Sequence, residues 1–154
     1  MHFQTEEEFE AWASARGMTK GPDGIYHSPR HSISDEEIIP APSKGSKMHN
    51  RTVTTEEGTF DSKGEYTFWV SLSWKQEAGL ITHLQHHKRF CICDAIGPYP
   101  AIDYEVDFYY FDCEKDQWVA HEYKGYETPL FKLKRSLFLH QYPEIEYRQT
   151  HHKG

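Results

Sequence analysis

The sequence predicts one α/β domain: a mixed central β-sheet flanked by helices, with an N-terminal helix and a long loop appended. Three observations predict it. Helix-like and strand-like patterns follow one another in the order α, β, α, β, β, β, α, β. The chain has 154 residues, an ordinary size for a single domain whose core needs no disulfide or metal staple. Aromatic residues make up 15% of it, so large side chains are expected to build much of that core.

Each element rests on a local signal. TEEEFEAWASARG reads as a helix, with Thr5 as N-cap, Glu8 three residues on and Gly17 ending it. Phe9, Trp12 and Ala13 give that helix one apolar stripe. From Met18 to about Lys47 the composition turns to Gly, Pro, Ser and His. GPDG, SPR and PAPSKGSK are turn and loop material, so this stretch is expected to be an extended arm. NRTVTTEEGTF reads as a short strand and turn. DSKGEYTFWVSLSWKQEAG reads as a helix, with Ser62 and Glu65 as a capping box, Phe68, Trp69 and Leu72 as apolar positions and Gly79 at the end.

The second half is more regular. ITHLQHHKRFCICDAI is strand material and GPYPA a loop. EVDFYYFDCEKDQWVAHEYKG reads as two strands joined by a turn at Cys113 to Asp116. TPLFKLKRSLFLHQYP starts a helix at Thr128 and Pro129, with Leu130, Leu133, Leu137 and Phe138 at helical spacing and Pro143 past its end. EIEYRQ reads as a last strand. The expected organisation is an N-terminal helix and loop-rich arm over residues 1–46, a core over 47–150, and a disordered tail over 151–154.

Charge and composition narrow the function. The formal net charge is −7, which opposes nucleic-acid binding through the global field. An enzyme with a local basic face and a bound metal remains compatible with it. The acids Glu6, Glu7, Glu8, Glu10, Asp35, Glu36 and Glu37 crowd the first quarter, while Lys124, Lys132, Lys134 and Arg135 come late. No apolar run is long enough to span a bilayer, and the acidic start is unlike a secretory signal, so a cytoplasmic protein is expected. Cys91, Cys93 and Cys113 are expected to be reduced thiols. No phosphate-cradling G-x-x-x-x-G-K stretch and no G-x-S-x-G elbow occurs.

The candidate chemistry lies in the two strands of residues 105–125. Strand alternation puts Trp118, Ala120, Glu122 and Lys124 on one face and Val119, His121 and Tyr123 on the other. By the same rule Val106, Phe108 and Tyr110 share a face, with Asp107 opposite. A hairpin then brings Asp107 and Glu122 toward one rim. Two hard oxygen ligands suit Mg²⁺, which keeps water and phosphate oxygens in its other positions. A lysine beside them can orient the attacking water and offset developing charge.

The ordered pieces TFDSKGEY, EVDFYY, HEYKG and FKLKRSLF resemble the PD-(D/E)xK nuclease superfamily. They are most similar to small phage and prophage nucleases related to Holliday-junction resolvases, over roughly residues 47–149. The resemblance implies a restriction-endonuclease-like core and a Mg²⁺- or Mn²⁺-dependent endodeoxyribonuclease acting on branched DNA. It also implies a twofold dimer and a phage- or prophage-encoded protein in a bacterial cytoplasm. Carried over residue by residue, Asp107 and Glu122 hold the metal, with the backbone carbonyl of Tyr123 as a further ligand. Lys124 is the catalytic lysine, and Glu65 is the helix glutamate that adds a metal or water ligand. Lys132, Lys134 and Arg135 would touch DNA phosphates, with Gln85 a polar residue near the site. Two departures stand out: Val106 precedes Asp107 where proline is usual, and His121 stands where an acid is common.

Plainer readings compete. Glu65 alone can be a capping residue, Asp107 a strand-edge charge, Glu122 with Lys124 a solvated strand pair, and the basic residues of the last helix its wet face. Cys91, Cys93, His83, His86 and His87 lie close enough in sequence to raise a zinc site, but buried, small apolar cysteines are the expected reading. His27 and His31 sit in loop material that could meet a phosphate. A non-enzymatic adaptor or inhibitor on the same fold, and a flap- or RNA-cutting nuclease, are the alternative functions.

Overall fold

The computed structural model describes residues 5–22, 24–27 and 52–151. Most of the expected arm, His31 with it, and the final three residues lie outside them. In chain order the elements are α1 (Glu6–Ala15), β1 (Thr19–Lys20), β2 (Tyr26–His27), β3 (Val53–Thr55), β4 (Gly58–Phe60) and α2 (Lys63–Glu77). Then come β5 (Ile81–Cys93), β6 (Ile102–Asp112), β7 (Gln117–Lys124), α3 (Pro129–Gln141) and β8 (Glu146–His151). The main sheet has the order β5-β6-β7-β8. Its first two pairings are antiparallel and β7–β8 is parallel, so the sheet is mixed. The parallel pairing follows from the connection, because α3 carries the chain back across the sheet.

Two helices cover opposite faces. On one, Phe68 and Leu72 of α2 pack with Ile81, Phe108, Tyr110 and Val119, and the β3–β4 hairpin adds Val53 and Phe60. On the other, Phe138 of α3 packs with Ile92, Tyr104, Val106, Ala120 and Ile145. α1 lies outside α2, where Phe9 and Ala13 share a third cluster with Tyr26, Trp74, Ala78 and Leu80. The helix starts are fixed locally. Thr5, Ser62 and Thr128 each accept a hydrogen bond from the backbone nitrogen three residues on, and Pro129 opens α3.

Five expectations change in three dimensions. The stretch expected as a loop from Met18 contains a small antiparallel hairpin, β1–β2, anchored by buried Ile25 and Tyr26. His151 is not tail but the last residue of β8, opposite Lys124. Cys93 is exposed and Cys91 half-buried, because they end an edge strand rather than entering the core; all three cysteines are free thiols. α3 buries a different face from the one its leucines mark. Phe131, Phe138 and Tyr142 meet the sheet, while Leu130, Leu133 and Leu137 are 61%, 59% and 40% exposed. Aromatic rings fill the space over Tyr104 and Phe90, and the leucine stripe is rotated away from it.

The fifth change concerns β6. Val106 faces α3, whereas Phe108 and Tyr110 face α2, so the three do not share one side. The alternation slips at Asp107. Opposite it, the Cα pairing of β5 with β6 passes from His86↔Phe108 to Lys88↔Val106, and the intervening His87 has φ +53°. A left-handed residue inside a strand reverses the local pleat, as a bulge does.

Candidate active site

That slip builds the site. β7 keeps regular alternation, so Glu122 and Lys124 project on the α3 side, while His121 and Tyr123 project toward α2. Because β6 changes face at Asp107, its carboxylate reaches across the end of the β6–β7 pairing. Asp107 Oδ2 accepts a 2.7 Å hydrogen bond from the Tyr123 amide, and Oδ1 lies 3.5 Å from Lys124 Nζ. Glu122 Oε2 lies 3.4 Å from the same ammonium. Asp107, Glu122 and Lys124 therefore meet at one point.

Glu65 lies within the field of Asp107 on the α2 side but is bonded elsewhere. The Ser62 cap sets it in the first turn of α2, where it is 4% exposed. Its Oε2 accepts from the Asp61 amide rather than from Ser62, a shifted form of the capping box. Its Oε1 is 3.1 Å from His87 Nε2. The helix can approach this closely because residue 64 is glycine: a Cβ there would stand 2.6 Å from the Tyr123 hydroxyl oxygen.

The electrostatics are those of crowded, buried acid. Burial, then the charge of Asp107, pushes the Glu122 carboxyl well above the usual carboxylate range. The same two causes, in the same order, raise Glu65. Burial works against the Lys124 ammonium, but Asp107 and Glu122 outweigh it and raise its pKa. Glu122 is 0% exposed. Its Oε1 accepts a 2.6 Å hydrogen bond from the Tyr104 hydroxyl. Its Oε2 is buried and has no aligned hydrogen-bond partner; Lys124 is an ionic neighbour only. Asp107 and Glu122 face one ammonium, a divalent cation would relieve the crowding of these two buried acids, and a buried oxygen without a hydrogen bond is what such an ion would occupy.

Among the described residues no group of three or more His, Cys, Asp or Glu side chains is placed to hold a metal ion together. Mg²⁺ does not require one, since it is commonly held by one or two carboxylates and completed by water and phosphate. The residues present fit that mode.

The remaining candidates fall elsewhere. Tyr123 places its amide on Asp107 and its ring against Phe68. Gln85 is exposed on edge strand β5, opposite Tyr109. Lys132, Lys134 and Arg135 do not form one patch. Lys134 donates to the Asp103 carbonyl, while Arg135 is bonded to Glu127 and Gln149. Lys132 is the most exposed of them, 4.0 Å from Glu127. His121 is turned away from the acids. It bonds Tyr110 and Thr150, and burial with the nearby Arg148 pulls its pKa down to about 3, so it stays neutral and lends the site no charge. The histidines do not gather around the cysteines: His86 packs on Phe60 and Trp69, His87 bonds Glu65, and His83 sits by Trp118. Sequence reasoning missed His87 and Tyr104 as partners of the acids. A polar side chain opposite Asp107 was the signal for the first; nothing local marks the second.

The profile of one family, described as a protein of unknown function (DUF1064), matches residues 45–152. The chain belongs to the DUF1064 family. The matched span holds β3 through β8 and with them Glu65, His87, Tyr104, Asp107, Glu122 and Lys124. No curated protein and no solved structure matches the chain.

Proposed function

We propose that this member of the DUF1064 family is a divalent-metal-dependent endodeoxyribonuclease with a restriction-endonuclease-like core, acting on branched DNA. The observation that carries the proposal is the meeting of Asp107, Glu122 and Lys124 at one buried point, with Glu122 Oε2 lacking a hydrogen bond. The mixed sheet, helices on both faces and the order of the four sequence pieces support the fold assignment. The preference for branched DNA rests on the resemblance of those pieces to resolvase-like nucleases.

Bound Mg²⁺ or Mn²⁺ would supply Lewis-acid stabilisation of a scissile phosphate and a more acidic water. Asp107 and Glu122 would hold it, with Glu65 and the Tyr123 carbonyl as further oxygen donors. In this arrangement Lys124 gives up its ion pairs with the two acids and donates to the attacking water or to a phosphate oxygen. His87 and the Asp61 amide hold the Glu65 carboxylate from two sides. Lys132 is the basic side chain of α3 best placed to meet a phosphate, because Lys134 and Arg135 already have protein partners.

The test is direct. Purified protein is incubated with labelled linear, flap and four-way DNA, with EDTA, Mg²⁺ or Mn²⁺. Metal-dependent cleavage lost in Asp107→Asn and Glu122→Gln is the expected result. No cleavage of any substrate with either ion, by protein that is folded, would overturn the reading.

A further inference from the structure

The active-site reading leaves unexplained why Glu122 presents one oxygen and not the other. Oε1 is bound by the hydroxyl of Tyr104, itself 2% exposed. Tyr147, in β8, packs with Tyr104 on the α3 side of the sheet and is its electrostatic neighbour. Arg135, in α3, is in turn an electrostatic neighbour of Tyr147. Arg135 is held outside by Glu127 at 2.9 Å and by Gln149 Oε1 at 3.0 Å. Gln149 donates back to Glu127 at 2.5 Å, and the Tyr147 hydroxyl donates to Gln149 Oε1 at 3.1 Å. Polar groups of α3, β8 and β6 thus lie side by side from half-buried Glu127 to fully buried Glu122.

Tyr104 has one hydroxyl proton and gives it to Glu122 Oε1, while Tyr147 gives its own to Gln149 Oε1. The bond from Tyr104 fixes the Glu122 carboxylate rotamer. With Oε1 engaged, Oε2 is the one oxygen that faces Asp107 and Lys124. Metal-ligating carboxylates are commonly oriented by such outer partners, whose loss typically costs 10- to 100-fold in metal affinity.

We infer that Tyr104 is a positioning residue that holds Glu122 as a one-oxygen ligand, and that Tyr147 and Arg135 brace it from α3 and β8. This rests on the metal-site reading above. It gives Arg135 a structural task in place of phosphate contact. It also explains how α3, which buries only Phe138 completely, is tied to the chemistry.

The experiment measures Mn²⁺ binding by the electron paramagnetic resonance signal of the free ion, with intact protein. It compares wild type, Tyr104→Phe, Tyr147→Phe and Glu122→Gln. Thermal midpoints are recorded in EDTA and again with saturating Mn²⁺. Tyr104→Phe removes one oxygen atom and keeps the ring. Expected is a 10- to 100-fold weaker Mn²⁺ affinity in Tyr104→Phe and a smaller loss in Tyr147→Phe. The Mn²⁺-induced rise in midpoint should shrink in the same order, a change that lost packing alone would not produce. Wild-type affinity retained in Tyr104→Phe would overturn the inference and leave the metal site standing. Wild-type protein that binds no Mn²⁺ would overturn both. Should Tyr104→Phe fail to fold, unchanged affinity in Tyr147→Phe refutes the bracing chain.

Discussion

Replacing Glu122 by Gln isolates the cost of holding a buried acid. The two side chains have nearly the same shape, and Gln can still accept from Tyr104. Burial and the Asp107 charge raise the folded-state pKa of Glu122 from an ordinary 4.5 to about 8. A raised folded pKa means that the folded protein holds a proton the unfolded chain has already released. The associated stability is fully present below the unfolded value and is lost as pH rises through the folded one. Metal-free wild-type protein should therefore weaken from about pH 5 toward pH 8, whereas Glu122→Gln has no such proton to lose. Each pKa unit corresponds to about 1.4 kcal/mol. The rise from 4.5 to about 8 already contains the opposing effect of Lys124, so the variant should gain up to about 5 kcal/mol on wild type across that window. For a domain of this size that is up to about 10–20 °C in thermal midpoint. The assay is thermal or urea denaturation of both proteins in EDTA at pH 5 and pH 8, repeated with millimolar Mg²⁺. Added ion should restore the wild type at pH 8 and leave the variant unmoved. Parallel pH profiles for the two proteins would refute the argument that Glu122 is held at an electrostatic cost.

Further outcomes are expected. Lys124→Ala should cut Mg²⁺-dependent cleavage on the order of 10²–10³-fold with an unchanged circular dichroism spectrum; full cleavage would remove lysine from the mechanism. Lys132→Ala should flatten the salt dependence of DNA binding by about one unit in log–log slope, and Lys134→Ala should not, which filter binding across a salt series decides. Gly64→Ala should destabilise by about 1–3 kcal/mol in urea unfolding, because the added methyl meets the Tyr123 hydroxyl; a neutral result would mean that α2 can shift away from β7. Leu133→Gln should change stability by less than about 0.5 kcal/mol, while Phe138→Ala should cost about 3–5 kcal/mol, and comparable losses at both positions would contradict the orientation of α3.

The sequence by itself determined what local rules govern. Caps at Thr5, Ser62 and Thr128 place three helix starts, because a side-chain oxygen and a backbone nitrogen three residues on satisfy each other without outside help. Period-two alternation puts Glu122 and Lys124 on one side of β7, and the turn after Cys113 makes β6 and β7 antiparallel neighbours. Three things came only from tertiary structure. Which face of α3 is buried depended on the shape of the aromatic surface opposite it, and rings won over leucines of similar hydrophobicity. The reversal of β6 at Asp107 depended on a left-handed His87 in a different strand, so strict alternation misplaced Val106 relative to Phe108. The partners of the acids, His87 on Glu65 and Tyr104 on Glu122, lie 22 and 18 residues from them in sequence. Short-range pattern fixes which way a side chain leaves its own backbone. What it meets there is set by long-range packing, and it was packing that left one glutamate oxygen buried without a hydrogen bond.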